Sequence, residues 1–569
     1  MKVKRILIKN FRSIKTLEFF PNDICALVGE NNAGKSNILS AINFLLGESW
    51  PTKQRLEPCD YFEEDTTQSI HIEVEFHDNP WNYKRIWFTA PWEDKAETKV
   101  QYTTSDNPYF LSSEVRDRCA LVYLDANRDL VYHLGHSSWT LFGRIIRRLD
   151  KDFRECATDD EQAQLRERFE EARDLLRTSL FREFENGVKS AFGEQIRRTT
   201  HRIELEFQTF DPLNYYRAIQ LLLWEDELQR SPLVCGQGMR NLILLALFRT
   251  YAKVFKYDAI IGIEEPEIFL HPHTQRSLYT LFDELAEAGA QIFYSTHSGT
   301  FVDIEHFDRI CLVKKESESE NNRTLHFTSV TQVSPDDLLG VRRSLHPQVQ
   351  MSSESLRERY RNICTLAHNE AFFARKIVLV EGETEEHTLP LFAMALDYDF
   401  DAYGVSVVNA HGKTNLDQLY QLYALFGIPV YLIFDGDRGT LDDDRRRWNR
   451  ILLRMLGEPE EEEPAEKITP RYAVFEQDFE HSLESALETH RPGLYANLRE
   501  AAGDELGTSA GKGLVGRYIA KRLIEMSEDE SQMIPDFIRQ IIDGVRHVGE
   551  IETQDIEAGV SASIDDIPF

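Results

Sequence analysis

Seven cysteines in 569 residues are too few and too scattered to organise this chain. Cys25, Cys59, Cys119, Cys156, Cys235, Cys311 and Cys364 include no C-x-x-C pair, so neither a disulfide framework nor a thiolate zinc site is indicated. Reduced, mostly buried thiols are expected. Long apolar runs are missing as well. Nowhere do eighteen apolar residues follow one another, and the start, MKVKRILIKNF, lacks the apolar centre of a signal peptide, so the expectation is a cytoplasmic protein with no membrane partner. The third absence is an excess of positive charge. Asp plus Glu number 96 against 65 Lys plus Arg, a formal net charge of −31 at pH 7. That argues against coating nucleic acid by bulk electrostatics, and still allows a local basic groove. Part of the acidic excess falls in segments that read as solvated: 458–466 (EPEEEEPAE), 316–320, and the tail after Gly549.

What is present, with 42% hydrophobic residues, is core enough for two to four domains. At 376–388 (KIVLVEGETEEHT) a short apolar run ends in carboxylates. Its first five residues read as a buried parallel strand, Gly382 opens the turn and a helix starts near Glu383. Glu381 then stands at a strand's C-terminal end, the ligand edge of an α/β sheet. A second strand, 430–434, ends in Asp435-Gly436-Asp437 and brings two more carboxylates to the same edge if the strands are neighbours. Such a crowd needs a cation, and oxygen-only ligands favour Mg²⁺ or Mn²⁺, the ions of phosphodiester chemistry. Either motif alone is more often a solvated loop. Together, V-E-G-x-T-E followed by F-D-G-D resembles the Toprim domain of topoisomerases, bacterial primases and certain nucleases.

Nearer the N-terminus, strands at 3–9 and 24–28 lead into Gly29-Glu30-Asn31-Asn32-Ala33-Gly34-Lys35-Ser36, which fits G-x-x-x-x-G-K-[ST], and 37–46 continues as a helix. In that context the loop from Gly29 through Asn31, Asn32 and Gly34 cradles phosphates with its N–H groups. Lys35 reaches the β and γ oxygens of ATP, and Ser36 holds Mg²⁺. Downstream, 259–267 (AIIGIEEPE) is an apolar strand delivering adjacent carboxylates. Glu264 suits the Mg²⁺ shell, and Glu265 suits orientation or deprotonation of the attacking water. The strand at 291–294 ends in Ser295-Thr296-His297-Ser298, placing His297 to sense a γ-phosphate.

Between these motifs, 231–240 (SPLVCGQGMR) precedes an apolar helix at 241–251. The order resembles an ABC-type ATPase, and Ile8-Lys9-Asn10-Phe11-Arg12 resembles the N-terminal strand of chromosome-maintenance and RecF-like heads. G-Q-G stands where that group has S-G-G-Q, so the signature is degenerate. The charged, helically patterned interval 131–191 reads as an insertion, used for dimerisation or packed on its own domain.

An ABC-type ATPase followed by a Toprim domain resembles the overcoming-lysogenisation-defect (OLD) nucleases and the nuclease subunit of Gabija antiphage systems. The fold class implied is α/β: a P-loop ATPase at 1–350, a linker at 351–371, a Rossmann-like Toprim domain at 372–545 and a flexible acidic tail at 546–569. The resemblance implies metal ligation by Glu381, Glu385, Asp435 and Asp437, with Glu480 as a later ligand and Lys512 stabilising transition-state charge. It implies two-metal cleavage of DNA, a homodimer or tetramer, and a helicase-like or other defence protein as a candidate partner. A RecF-like repair protein with a non-cleaving Toprim domain is the alternative, and a primase is disfavoured by the missing zinc cysteines. ATP is expected to regulate rather than power the nuclease. The sign of regulation stays open, with the Gabija resemblance implying inhibition.

Overall fold

The computed structural model describes all residues except 78, 128, 138–139, 197–210, 226, 256–259, 321–322, 508, 528–532 and 550–569. The tail 550–569, positions 138–139 of the insertion and Ala259 therefore lie outside the described residues. The chain divides into two compact units, one of Met1–Leu121 with Ile260–Phe569 and one of Val122–Ala259. Among the described residues no helix is long and apolar enough to cross a membrane.

Three sheets build the first unit. An antiparallel sheet runs in the order Ile14–Phe19, Lys2–Phe11, Ile70–His77, Tyr83–Ala90, Glu97–Tyr102, Tyr109–Phe110. Its long strands alternate buried and wet positions, as a sheet with one covered face must. The nucleotide sheet is different. Ile24–Val28 is buried at every position and pairs in parallel with Gln291–Thr296 and Ile310–Glu320, while Ile260–Glu264 joins beyond Gln291–Thr296. Continuous apolar runs of this kind suit strands covered on both faces. The acids at 316–320, read above as a solvated segment, form the outer end of the strand Ile310–Glu320, hydrogen-bonded to Arg323–Thr331.

In the third sheet Val405–Asn409, Lys376–Val380, Val430–Asp435 and Tyr472–Phe475 run parallel in that order, with Lys467–Ile468 antiparallel at the edge. The helices Glu383–Ala395, Phe479–His490, Lys512–Ser527 and Asp536–His547 cover it through a core that includes Val378, Phe392, Ile433, Phe475, Leu523 and Ile541. Arg546 and His547 belong to the last of these helices and Val548 is buried, so the tail begins later than its expected start at 546.

The expected linker at 351–371 is largely helical, and so is the polar stretch just before it. Pro335–Leu345 and Ser353–Ile363 are two helices whose N-caps are Ser334 and Ser352, each closing a capping box. Both serines mark helix starts. Arg342, 2% exposed, reaches Asp417 Oδ2 and Gln421 Oε1 at 3.3 Å each, and His346 Nε2 lies 2.7 Å from Asp417 Oδ2. The stretch is thereby fastened to the helix Lys413–Leu425 behind the third sheet. Of the seven cysteines Cys25, Cys119 and Cys311 are buried, fewer than expected, while Cys235 and Cys364 are partly buried and Cys59 and Cys156 are exposed.

The second unit is largely helical: Leu141–Cys156, Asp159–Leu176, Ser179–Ile196, Pro212–Tyr216 and Gln237–Phe255. A capping box from Thr158 and Glu161 starts the second helix, and a break at Arg177-Thr178 separates it from the third. Leu175, Leu176, Leu180 and Phe184 are 82%, 63%, 72% and 61% exposed, a run of large apolar side chains facing solvent.

Candidate active site

Because the strand Lys376–Val380 ends inside the core, its next residue is delivered to the sheet's C-terminal edge. Glu381 Oε2 accepts the N–H of Asp435 at 3.2 Å, which ties the two strand ends together. In the loop that follows, Gly436 donates to Phe475 O at 2.7 Å. A Cβ there would stand 2.4 Å from that oxygen, so the approach requires glycine. Glu385, 3% exposed, sits in the first turn of Glu383–Ala395. From the neighbouring strand end, Glu480 Oε1 accepts from Thr384 Oγ1 at 2.7 Å. Lys512 Nζ lies 3.6 Å from Glu480 Oε1 and 4.0 Å from Asp478 Oδ2. Gly513 and Gly516 make this placement possible: a Cβ on either would press to 2.8 Å against His387 or Thr384, so the helix Lys512–Ser527 can lie close on Glu383–Ala395.

Glu381, Glu385, Asp435, Glu480 and Lys512 are thus brought to one place. Asp437 is beside them but turned towards two cations, the ammonium of Lys413 and the guanidinium of Arg445. Burial, reinforced by Glu385, Glu381 and Asp478, pushes Asp435 well above the usual carboxylate range. Burial pushes Glu385 up to about 8, with Glu480, Glu381 and Asp478 adding to it. Glu381 is raised by burial against the opposing pull of Lys413. Asp435 Oδ1 is buried with no hydrogen-bond partner. An orphaned acceptor in a crowd of desolvated carboxylates fits a hard divalent cation. Among the described residues only Asp303, Glu305 and His306 bring three ligand atoms within 4.8 Å of one another. Asp303 is already claimed by Tyr279 and His306. The carboxylates at the sheet edge stand wider, with Asp437 held by Lys413 and Arg445.

Lys413, Asp478 and Arg445 escaped the sequence reading. Lys413 is 5% exposed and donates to Asp437, to the carbonyl of Asp435 and to Asn449 Oδ1 at 3.0 Å. The signal was present: His411-Gly412-Lys413 follows a strand end just as Glu381 does. Asp478 stands two residues before Glu480, a second acid on the same turn.

At the nucleotide motif, a Cβ on Gly29 would meet Val313 O at 2.1 Å and one on Gly34 would meet Thr328 Oγ1 at 2.1 Å, so both glycines are required. Asn32 has a φ of 64°, and Asn31 is exposed at the loop tip. Ser36 follows Lys35 in the first turn of Lys35–Leu46. Lys35 Nζ donates to Gly29 O and Glu30 O, both at 2.7 Å. Burial brings Lys35 down to about 8, opposed by Glu265, Glu267 and Glu30. Glu264 closes the strand Ile260–Glu264, and Glu265 has a φ of 43° and donates its N–H to Ser295 O at 2.9 Å. His297 Nε2 lies 3.9 Å from Glu265 Oε1. Glu267 was missed: its Oε1 accepts from His297 N at 2.6 Å and Thr296 Oγ1 at 3.0 Å, and its Oε2 is buried without a partner. In the second unit, Arg240 braces the degenerate signature by donating to Cys235 O at 2.9 Å.

The two sites are physically joined. Arg375, the residue before the strand Lys376–Val380, forms a two-pronged pair with Glu30 of the phosphate loop, at 2.6 and 3.1 Å. Asn369 Nδ2 donates to Gly299 O at 3.1 Å, two residues beyond His297.

A phosphate-loop ATPase and a Toprim sheet on one chain define the class of protein. Residues 372–437 match the family described as overcoming lysogenization defect protein-like, TOPRIM domain, and residues 24–303 match an AAA domain family described as putative AbiEii toxin, Type IV TA system. The chain is similar to the OLD nuclease of Thermus scotoductus, 28% identical over 78% of this chain and 83% of that protein. It is similar to the Old nuclease of Escherichia phage P2, 21% identical over 77% of each. Endonuclease GajA of Bacillus cereus is 24% identical over 38% of this chain and 32% of that protein. The resemblance read from the motifs therefore holds: OLD-like Toprim and AAA ATPase domains share this α/β chain.

Proposed function

We propose that this chain is a metal-dependent DNA endonuclease regulated by ATP. The observation that carries the reading is the desolvated carboxylate cluster at the sheet edge, with Asp435 Oδ1 left without a partner. Glu381, Glu385, Asp435, Asp437 and Glu480 would hold Mg²⁺ or Mn²⁺, with Asp478 beside them. The chemistry that divalent metal would supply there is a hydroxide near neutral pH and neutralisation of the leaving oxyanion. The protein's own part is to hold the scissile phosphate against this edge and to set Lys512, 76% exposed at the rim, where charge develops on the phosphate. In the ATPase, Lys35 binds the phosphates with Ser36 and Glu264 on Mg²⁺, Glu265 serves the attacking water and His297 the γ-phosphate.

The domain plan that goes with this function is an ATPase over 1–350 and a Toprim nuclease over 372–545. The exposed apolar run at 175–184 favours a homodimer or tetramer built through the helical insertion. The biological role we infer, from resemblance to OLD and Gabija nucleases, is defence against phage. Purified protein with plasmid DNA and Mn²⁺ should yield nicked or linear product. Glu381→Ala and Asp435→Ala should abolish it while leaving ATP binding intact. Retained cleavage in both variants would remove the metal-site assignment.

A further inference from the structure

A protein this acidic must offer DNA a local track of positive charge, and one helix stands out. Asp443–Met455 (DDRRRWNRILLRM) carries five arginines in thirteen residues, and it begins beside the metal site, where Arg445 holds Asp437. Arg446, Arg450 and Arg454 recur every four residues and so line one face in steps of about 6 Å.

Each of the three is met by a glutamate of the acidic segment 458–466. Arg446 pairs with Glu463 at 2.9 Å and Arg450 with Glu462 at 3.2 Å, while Arg454 grips Glu460 with two bonds of 2.7 and 2.9 Å. Arginine numbers rise as glutamate numbers fall, so the segment runs antiparallel along the helix like a strap. Its ends are fastened: Lys467 pairs with Glu458 at 2.8 Å, and Ser482 Oγ donates to Glu466 Oε2 at 2.5 Å. Its middle is tied to the site. The buried Asn449 donates to Glu462 O at 2.8 Å and to Gly436 O at 2.7 Å, and accepts from Lys413. One amide thus joins the strap, the Asp435-Gly436-Asp437 loop and the lysine between the carboxylates. The acidic run is the solvated loop its composition suggests, and three of its glutamates also take the arginines of one helix.

We propose that this arginine face is a DNA-backbone track leading to the carboxylate site, and that the strap is its internal occupant, with three carboxylates standing where phosphates would bind. Arginine takes carboxylate and phosphate with the same fork of donors. Half-exposed pairs of this kind contribute little individually. A duplex that displaces the strap gains counterion release, which the strap cannot match. The destination of the track rests on the nuclease reading; the competition between strap and DNA does not.

The test uses the full chain and a fluorescent duplex of about 30 base pairs, without divalent metal, across about 50 to 200 mM salt. Glu460→Gln/Glu462→Gln/Glu463→Gln should bind at least tenfold tighter than the parent at the upper salt, with a log K against log salt slope steeper by about two to three. Arg446→Gln/Arg450→Gln, sparing Arg454 because it also donates to Leu345 O, should remove about two thirds of the added salt slope and most of that gain when combined with the strap changes, leaving the share of Arg454. An unchanged affinity and slope in the strap variant would overturn the proposal even if the arginine variant failed to fold. So would a gain undiminished by loss of Arg446 and Arg450. Added Mn²⁺ and plasmid separate the two readings. Tighter binding without cutting would sink the nuclease and leave the track; cutting with unchanged affinity would do the reverse.

Discussion

The charge balance of the proposed metal site turns on Lys413 and Glu385. Lys413 is the buried cation among the acids, and Lys413→Met would strip Asp437 of one of its two cations and Asn449 Oδ1 of its donor. We expect a loss of about 3 kcal/mol or more in unfolding free energy, partly restored by Mn²⁺, which thermal melts with and without the ion would read. A melt insensitive to Mn²⁺ would show that lysine and metal do not share the site. Glu385, pushed up to about 8, gives a pH dependence. Below that pH a metal must displace its proton, so Mn²⁺ affinity should rise by up to about tenfold per pH unit towards pH 8 and then level. Titration by electron paramagnetic resonance would follow it, and Glu385→Gln should flatten the profile. For folding the sign is opposite: the raised carboxyl stabilises the protein at low pH, and that contribution is lost as pH rises from about 4.5 through 8. Glu381 and Asp435 were legible in the sequence because apolar runs end at them. Lys413 and Asp478 were not, because which strand ends are neighbours depends on the sheet order, and one chain's pattern does not print that order.

At the scale of elements, the strands were the most readable part. Ile24–Val28 and Lys376–Val380 fall where their apolar runs predict, since a strand covered on both faces has no polar position to blur its ends. The serines and prolines of 334–354 do not announce its helices, because serine and proline serve both loops and helix starts. Leu338, Leu339 and Leu345 were the better guide, being buried where the helix Pro335–Leu345 meets the helix Lys413–Leu425. That contact carries its own prediction. Arg342→Ala leaves Asp417, fully buried, with the imidazole of His346 as its remaining side-chain partner among the described residues, and should lower stability by about 3 to 5 kcal/mol in chemical denaturation. A loss below about 1 kcal/mol would mean the pair merely replaces water contacts.

For the whole molecule, the ATPase is expected to sense nucleotide rather than to drive movement along DNA. Lys35→Ala should weaken ATP binding and Glu265→Gln should block hydrolysis. A non-hydrolysable analogue should then shift plasmid cleavage in the same direction as ATP. A coupling of about 1 to 3 kcal/mol would change cleavage several-fold to more than a hundredfold. An analogue that behaved like no nucleotide would overturn the sensor. Arg375→Ala should leave ATP binding and nucleotide-free cleavage near parental and erase the response of one to the other.

The pair between Glu30 and Arg375 also has a meaning for metal. One end of the strand Lys376–Val380 is pinned to the loop that meets ATP, and the other end carries Glu381. Thermodynamic linkage has no preferred direction: the factor by which ATP changes the affinity for metal is the factor by which metal changes the affinity for ATP. If ATP and a divalent ion are coupled through this strand as proposed, the concentration of ATP at which the protein responds is set in part by the ion at its other end, and the same chain in a magnesium-poor and a magnesium-rich cell would keep two different thresholds.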